Sequence, residues 1–180
     1  MPRLFAALAL PHDVRLRLAG LCGGVPGARW VELDQFHLTL RFIGEVDGVT
    51  ADDVADALMD VDGDPFDLAL KGAGLFDKGR NPTALWIGVA DKAPLARLHE
   101  KIDRRLAAVG IAPETRKYHP HVSLARLRNA WADRVAAFLA AHADFAHPPI
   151  RVAAFHLYSS HRGQDGAHYR VEQTYPLGGG

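Results

Sequence analysis

Cysteine, net charge and long apolar runs are what this sequence lacks. Its 180 residues contain a single cysteine, Cys22, which excludes an internal disulfide framework and a cysteine-rich zinc site. Lysine plus arginine and aspartate plus glutamate each number 21, so the formal net charge is zero with histidine neutral. That balance excludes a uniformly basic protein that wraps nucleic acid, although it leaves room for a local basic patch. No window of about 18 uninterrupted apolar residues occurs, which excludes a helical membrane span. The opening apolar run ends at Pro11, His12 and Asp13 without a small-residue cleavage pattern, so it reads as a first strand and not as a leader. The expectation is a cytoplasmic protein.

What is present is globular. Apolar residues make up 48% and charged residues 23%, close to the average for folded domains. The length suits one domain, or two small lobes sharing a core, and it can bury roughly 70% of its unfolded surface without a metal or disulfide. Ten histidines are the one compositional oddity.

Hydrophobic periodicity alternates between strand and helix. Residues 3–10 read as a buried strand, and Pro11 suits the first turn of a helix that carries Val14, Leu18, Leu21 and Cys22. Strands are expected near Arg29–Leu33 and His37–Ile43. Thr50 reads as the N-cap of a helix through Val54, Ala57, Leu58 and Val61. Phe66–Leu75 and Ala84–Val89 read as strands joined by the turn-rich 77–82. Leu95, Leu98, Ile102, Leu106 and Val109 mark a helix from Ala93 that stops at Gly110. A strand at His121–Leu127, a helix at Ala130–Ala143, and strands at Ile150–Ser159 and His168–Leu177 complete the chain.

One internal echo carries chemistry. His37-Leu38-Thr39-Leu40 returns 84 residues later as His121-Val122-Ser123-Leu124, each time inside a strand-like run. Side chains two apart on a strand share a face, so His37 and Thr39 lie together, as do His121 and Ser123, with leucine or valine anchoring the other face. Two lobes facing each other would bring two imidazoles and two hydroxyls into one cleft. One neutral imidazole can accept a proton from water and one imidazolium can donate to a leaving oxygen, while the hydroxyls donate to phosphate oxygens. No metal is demanded. His119 beside His121 has no Asp, Glu or Cys at ligand spacing, so a zinc site is set aside. The same alternation puts Arg41 on the face of His37 and Thr39, and puts Arg126 on the face opposite His121.

The ordered set of motifs resembles the two-histidine (2H) phosphoesterases, most closely the bacterial and archaeal RNA 2′,3′-cyclic phosphodiesterases, also described as 2′-5′ RNA ligase-like or LigT-like. Arg3-Leu4-Phe5-Ala6-Ala7 resembles the family's opening strand, and Phe36–Gly44 and Pro120–Arg126 its two motifs. Gly74-Leu75-Phe76, Leu85–Val89 and Leu157–Ser160 continue the match along nearly the whole chain. The resemblance implies an α+β, bilobal, pseudo-symmetric fold, with antiparallel sheets lining a central cleft and helices outside. It implies one bilobal domain over residues 1–177, with 178–180 a disordered tail. It also implies hydrolysis of a 2′,3′-cyclic phosphate on RNA or a nucleotide to a 2′-phosphomonoester, with no cofactor, no metal and no obligate protein partner, by a monomer.

Residue by residue, the resemblance gives His37 the general acid role and His121 the general base role. Thr39 and Ser123 match the phosphate-binding hydroxyls, and Arg126 matches an arginine that contacts phosphate. Ser123 replaces the commoner threonine, which keeps the hydroxyl and loses the methyl that stiffens χ1. The role of Arg126 requires a bulge or a strand end before it, because simple alternation turns it away. Two other readings remain: 2′-5′ RNA ligation, which is the reverse chemistry at the same site, and an RNA-binding module with structural histidines.

Overall fold

The computed structural model describes residues 1–178. Among these residues ten strands and four helices follow the order β1 (Arg3–Ala9), α1 (His12–Ala19), β2 (Ala28–Trp30), β3 (His37–Glu45), α2 (Gly48–Leu58), β4 (Phe66–Leu68), β5 (Leu70–Lys78) and β6 (Asn81–Val89). They continue with α3 (Ala93–Ala108), β7 (Val122–Leu127), α4 (Ala132–His142), β8 (Ile150–Val152), β9 (Ala154–Gly163) and β10 (Gly166–Pro176). Eight strands form one antiparallel sheet in the order β10-β9-β1-β3-β7-β6-β5, with β2 pairing to β7; β4 and β8 form a separate two-stranded sheet.

The large sheet is two halves joined by little. β3 and β7 pair only at Leu38 and Val122, both fully buried. One half, β10-β9-β1-β3, carries His37; the other, β7-β6-β5 with β2, leads out of His121. This is an α+β fold with an antiparallel sheet in two lobes, as the family resemblance implied.

The 84-residue echo extends beyond the two motifs. α2 and α4 each have 11 residues and start 84 positions apart, as do β4 and β8, and β5 and β9. The repeats are not spatially separate, because β9 of the second repeat pairs with β1 and β5 of the first repeat pairs with β6. Each lobe therefore borrows a strand from the other repeat. β4 and β8 form because each longer strand anticipated from the sequence breaks, at Ala69 and at Ala153, and the freed triplets pair with each other.

Apolar side chains on one face of the large sheet, including Leu38, Leu40, Leu85, Ile87, Val122 and Leu124, share a continuous core with the helices. α1 contributes Val14 and Leu18, α2 Val54 and Leu58, α3 Leu95, Leu98, Ile102 and Leu106, and α4 Val135 and Phe138. These are the intervals of three and four that a one-faced helix requires. The polar face of the sheet is left to the site.

Several boundaries differ from the sequence expectation. The N-cap of α2 is Asp47, whose carboxylate accepts from the Thr50 N–H at 2.7 Å, because the ring of bonds closes on the third residue after the cap. α1 ends at Ala19, and β2 ends at Trp30, where a 3-10 turn at Leu33–Gln35 redirects the chain toward His37. Gly178, expected in a frayed tail, donates its N–H to the Gly63 carbonyl at 2.7 Å; residues 179–180 of that tail lie outside the described residues. Among the described residues no helix is long and apolar enough to cross a membrane.

Gly74 is a packing constraint on the site. It pairs with Trp86 across β5 and β6, and a Cβ there would lie 2.2 Å from Trp86 Cη2. The indole lies over the glycine. Gly74→Ala should therefore destabilise the protein by about 1–3 kcal/mol through overpacking and shift tryptophan fluorescence; unchanged thermal stability would show that the ring is free to move.

Candidate active site

Both histidines are held the same way. His37 Nδ1 lies 2.7 Å from the Gln35 carbonyl and His121 Nδ1 lies 2.6 Å from the His119 carbonyl, two residues upstream in each case. A carbonyl oxygen only accepts, so each Nδ1 carries a proton and each Nε2 is the atom that titrates. His37 Nε2 meets Thr39 Oγ1 at 3.0 Å. Continuing the antiparallel Leu38–Val122 register by one residue on each side sets His37 against Ser123 and Thr39 against His121. The seam thus gathers the two imidazoles and two hydroxyls that the sequence paired only within each strand.

The arginines correct the sequence picture. β1 pairs Ala7 with Thr39 and Ala6 with Arg41, which leaves Leu40 as an extra bulged residue. β6 pairs Trp86 with Ser123 and Leu85 with Ala125, which leaves Leu124 bulged at the equivalent place. A bulge inserts one residue and inverts the alternation beyond it. Arg41, expected beside His37 and Thr39, is consequently turned to the opposite face and is only 4% exposed. Its Nε donates to Asp103 at 2.8 Å, its Nη2 to the Ala112 carbonyl at 2.6 Å, and its Nη1 to the Phe42 carbonyl. Arg126, which simple alternation turned away, is returned to the face of Ser123 and is exposed.

Aromatic rings surround each imidazole. Phe5 (5.0 Å), Tyr169 (5.4 Å) and Tyr158 (6.3 Å) flank His37 by ring centroid. Phe76 (4.8 Å), His119 (5.9 Å) and Trp86 (6.1 Å) flank His121. Burial is the main reason that both imidazoles sit below the ordinary 6.5; the Gln35 and His119 carbonyls oppose it, and His121 next to His37, and His119 next to His121, add to it. A cavity of about 240 Å³ opens beside His37 and is lined by Arg15, Gln35, Tyr158 and Tyr169 among others. Among the described residues no group of three or more His, Cys, Asp or Glu side chains is placed to hold a metal ion.

A family model described as the 2′-5′ RNA ligase superfamily matches residues 14–164. The chain belongs to that superfamily. It is similar to the RNA 2′,3′-cyclic phosphodiesterase of Aeropyrum pernix, with 38% identity over 117 residues that cover 64% of this chain and 66% of the relative. It is also similar to the RNA 2′,3′-cyclic phosphodiesterase of Thermotoga maritima, with 34% identity over 152 residues covering 81% and 77% respectively. Among solved structures it resembles E. coli LigT complexed with 3′-AMP, with a TM-score of 0.77, 26% identity and 99% coverage of both chains.

Superfamily motifs do not mark every residue that supports the site. Tyr118 lies three positions before His121, yet its hydroxyl donates to the Thr39 carbonyl at 2.9 Å. Its ring stacks on His99 at 4.2 Å, and His99 Nδ1 bonds the carbonyl of the bulged Leu40 at 2.6 Å. Burial raises the Tyr118 phenol above its usual value and Glu114 adds to the rise, so it remains a donor through the neutral range. Tyr118 therefore ties the segment entering the second motif to the backbone of the first. Nothing in the sequence pattern distinguishes this tyrosine from a core aromatic. Tyr118→Phe should retain the fold, cost about 0.5–1.5 kcal/mol for the lost hydrogen bond, and lower kcat more than it raises KM; unaltered kcat would remove the coupling.

Proposed function

We propose that the chain, as a single bilobal domain, hydrolyses RNA or nucleotide 2′,3′-cyclic phosphates to 2′-phosphomonoesters, with His37 and His121 as the paired acid and base. The reaction class follows the curated relatives, which are RNA 2′,3′-cyclic phosphodiesterases. The observation that carries the mechanism is the matched tethering of both imidazoles by Nδ1, which leaves both Nε2 atoms to exchange protons.

Water attacks phosphorus, the bond from phosphorus to O3′ breaks, and the phosphate stays on O2′. His121 Nε2 takes the water proton and His37 Nε2 supplies a proton to O3′. Thr39, Ser123 and Arg126 face the same seam and donate to the non-bridging oxygens, where negative charge grows. Attacking and leaving oxygens lie in line through phosphorus. O3′ carries the ribose, so the terminal nucleoside lies on the His37 side, where the 240 Å³ cavity opens.

Turnover of a short RNA ending in a 2′,3′-cyclic phosphate, with EDTA present and the product's phosphate position resolved, tests this reading. A 2′-phosphate is expected. Accumulation of 2′-5′-linked RNA from cyclic-phosphate and 5′-hydroxyl ends would instead establish ligation, the reverse reaction at the same seam, and binding without turnover would make the chain an RNA-binding module. His37→Ala and His121→Ala should each lose on the order of 10²–10⁴ in rate while keeping the fold. Sulfur in place of O3′ leaves without needing a proton, since a thiol is far more acidic than an alcohol. It should rescue His37→Ala strongly and His121→Ala hardly at all, and the opposite pattern would reverse the roles.

The pH dependence follows from burial. Both imidazoles lie below 6.5 in the free protein, and activity needs one protonated and one neutral. The kcat/KM profile should therefore be bell-shaped with its maximum on the acid side of 6.5. A bound phosphate anion favours imidazolium, so the kcat profile should move to higher pH. A kcat/KM maximum on the alkaline side of neutrality would contradict this assignment.

A further inference from the structure

β2 and β7 set Arg29 directly opposite Arg126. Opposed residues of an antiparallel pair have Cα atoms about 4.5–5.5 Å apart and side chains on one face, and like charges so placed are destabilising. Among the described residues, neither guanidinium has a carboxylate within 4.0 Å, and both residues are exposed. In a chain with no net charge, two adjacent uncompensated arginines on the face of Ser123 mark a position where the counter-charge comes from outside.

The place of the pair says which anion. Arg29 is one strand beyond Arg126, and a Cβ on Gly166 would lie 3.9 Å from its Nη2, so the guanidinium sits beside the start of β10. That same hairpin is tied to the approach to His37, since Gln35 Nε2 donates to the Ala167 carbonyl. Arg29 therefore lies toward the His37 side of the seam, where the proposed chemistry puts the terminal nucleoside. Past that nucleoside, an RNA end carries a phosphodiester on its 5′ side, which a free nucleoside 2′,3′-cyclic phosphate lacks. An arginine fork matches a phosphate with two parallel hydrogen bonds.

We propose that Arg29, beside Arg126, binds the phosphodiester on the 5′ side of the terminal nucleotide, so that the site selects RNA ends over free cyclic nucleotides. This inference rests on the proposed function and narrows its substrate class. The cyclic phosphate itself is left to Arg126 and the hydroxyls of the seam.

The test compares kcat/KM on adenosine 2′,3′-cyclic phosphate with that on the dinucleotide adenylyl-adenosine 2′,3′-cyclic phosphate, for wild type and Arg29→Gln. The wild type should prefer the dinucleotide. Arg29→Gln should lower the dinucleotide-to-mononucleotide ratio roughly ten- to hundred-fold, the scale of one charge-assisted hydrogen bond, with partial recovery in Arg29→Lys. The slope of log(kcat/KM) against log salt for the dinucleotide should flatten by about 0.7. A wild-type ratio near one, or a ratio unmoved by Arg29→Gln, overturns the proposal; in the second case a lower Tm assigns Arg29 to the fold. If the wild type turns over neither substrate, the proposed function fails and takes this inference with it.

Discussion

Leu38 and Val122 face each other across the only pairing between the two halves of the sheet, and the polar site hangs on that contact. Both side chains are fully buried, so both are fixed in the core face, and their neighbours at positions 37, 39, 121 and 123 must project from the other face. Slipping the seam by one residue would exchange the two sets. The leucine and valine thus fix the face from which the imidazoles project, and the Gln35 and His119 carbonyls fix the ring orientation.

A seam of one pair is weak by itself, and the chain strengthens it from the sides. β9 lies in the His37 lobe and β5 in the His121 lobe, each paired with a strand of the other repeat, so neither lobe can leave without breaking a full ladder. β4 and β8 clip the repeats together a second time. Behind the seam, Tyr118 and His99 hold the carbonyls of Thr39 and Leu40. A rigid framework of this kind suits proton transfer, in which donor and acceptor must be held within hydrogen-bond reach of the reacting atoms. The borrowed strands also have a chemical consequence. Tyr158 and Tyr169 reach His37 from the far end of the chain because β9 and β10 belong to its lobe.

The rings and the buried walls around each histidine lower the cost of being neutral and raise the cost of being charged. The carbonyl on each Nδ1 works against that trend. Burial is the larger of the two effects, so both imidazoles lie below 6.5, and the carbonyl on each Nδ1 leaves Nε2 as the titrating atom.

Much of this was legible in the sequence. The His-x-hydroxyl-Leu motif, its return after 84 residues and the alternation around it determined which imidazole and hydroxyl share a face within each strand, because side chains two apart project the same way. Helix positions followed from intervals of three and four. The bulge at Leu124 was legible only as a condition on the role of Arg126, and the one at Leu40 was not legible, because a bulge depends on how the partner strand is registered. Tertiary structure therefore decided the arginines, sending Arg41 into the core against Asp103 and bringing Arg126 to the face of Ser123. It also decided the strand exchange, the reach of Tyr118 to Thr39 and the opposition of Arg29 to Arg126, since each joins residues whose separation along the chain exceeds any local period.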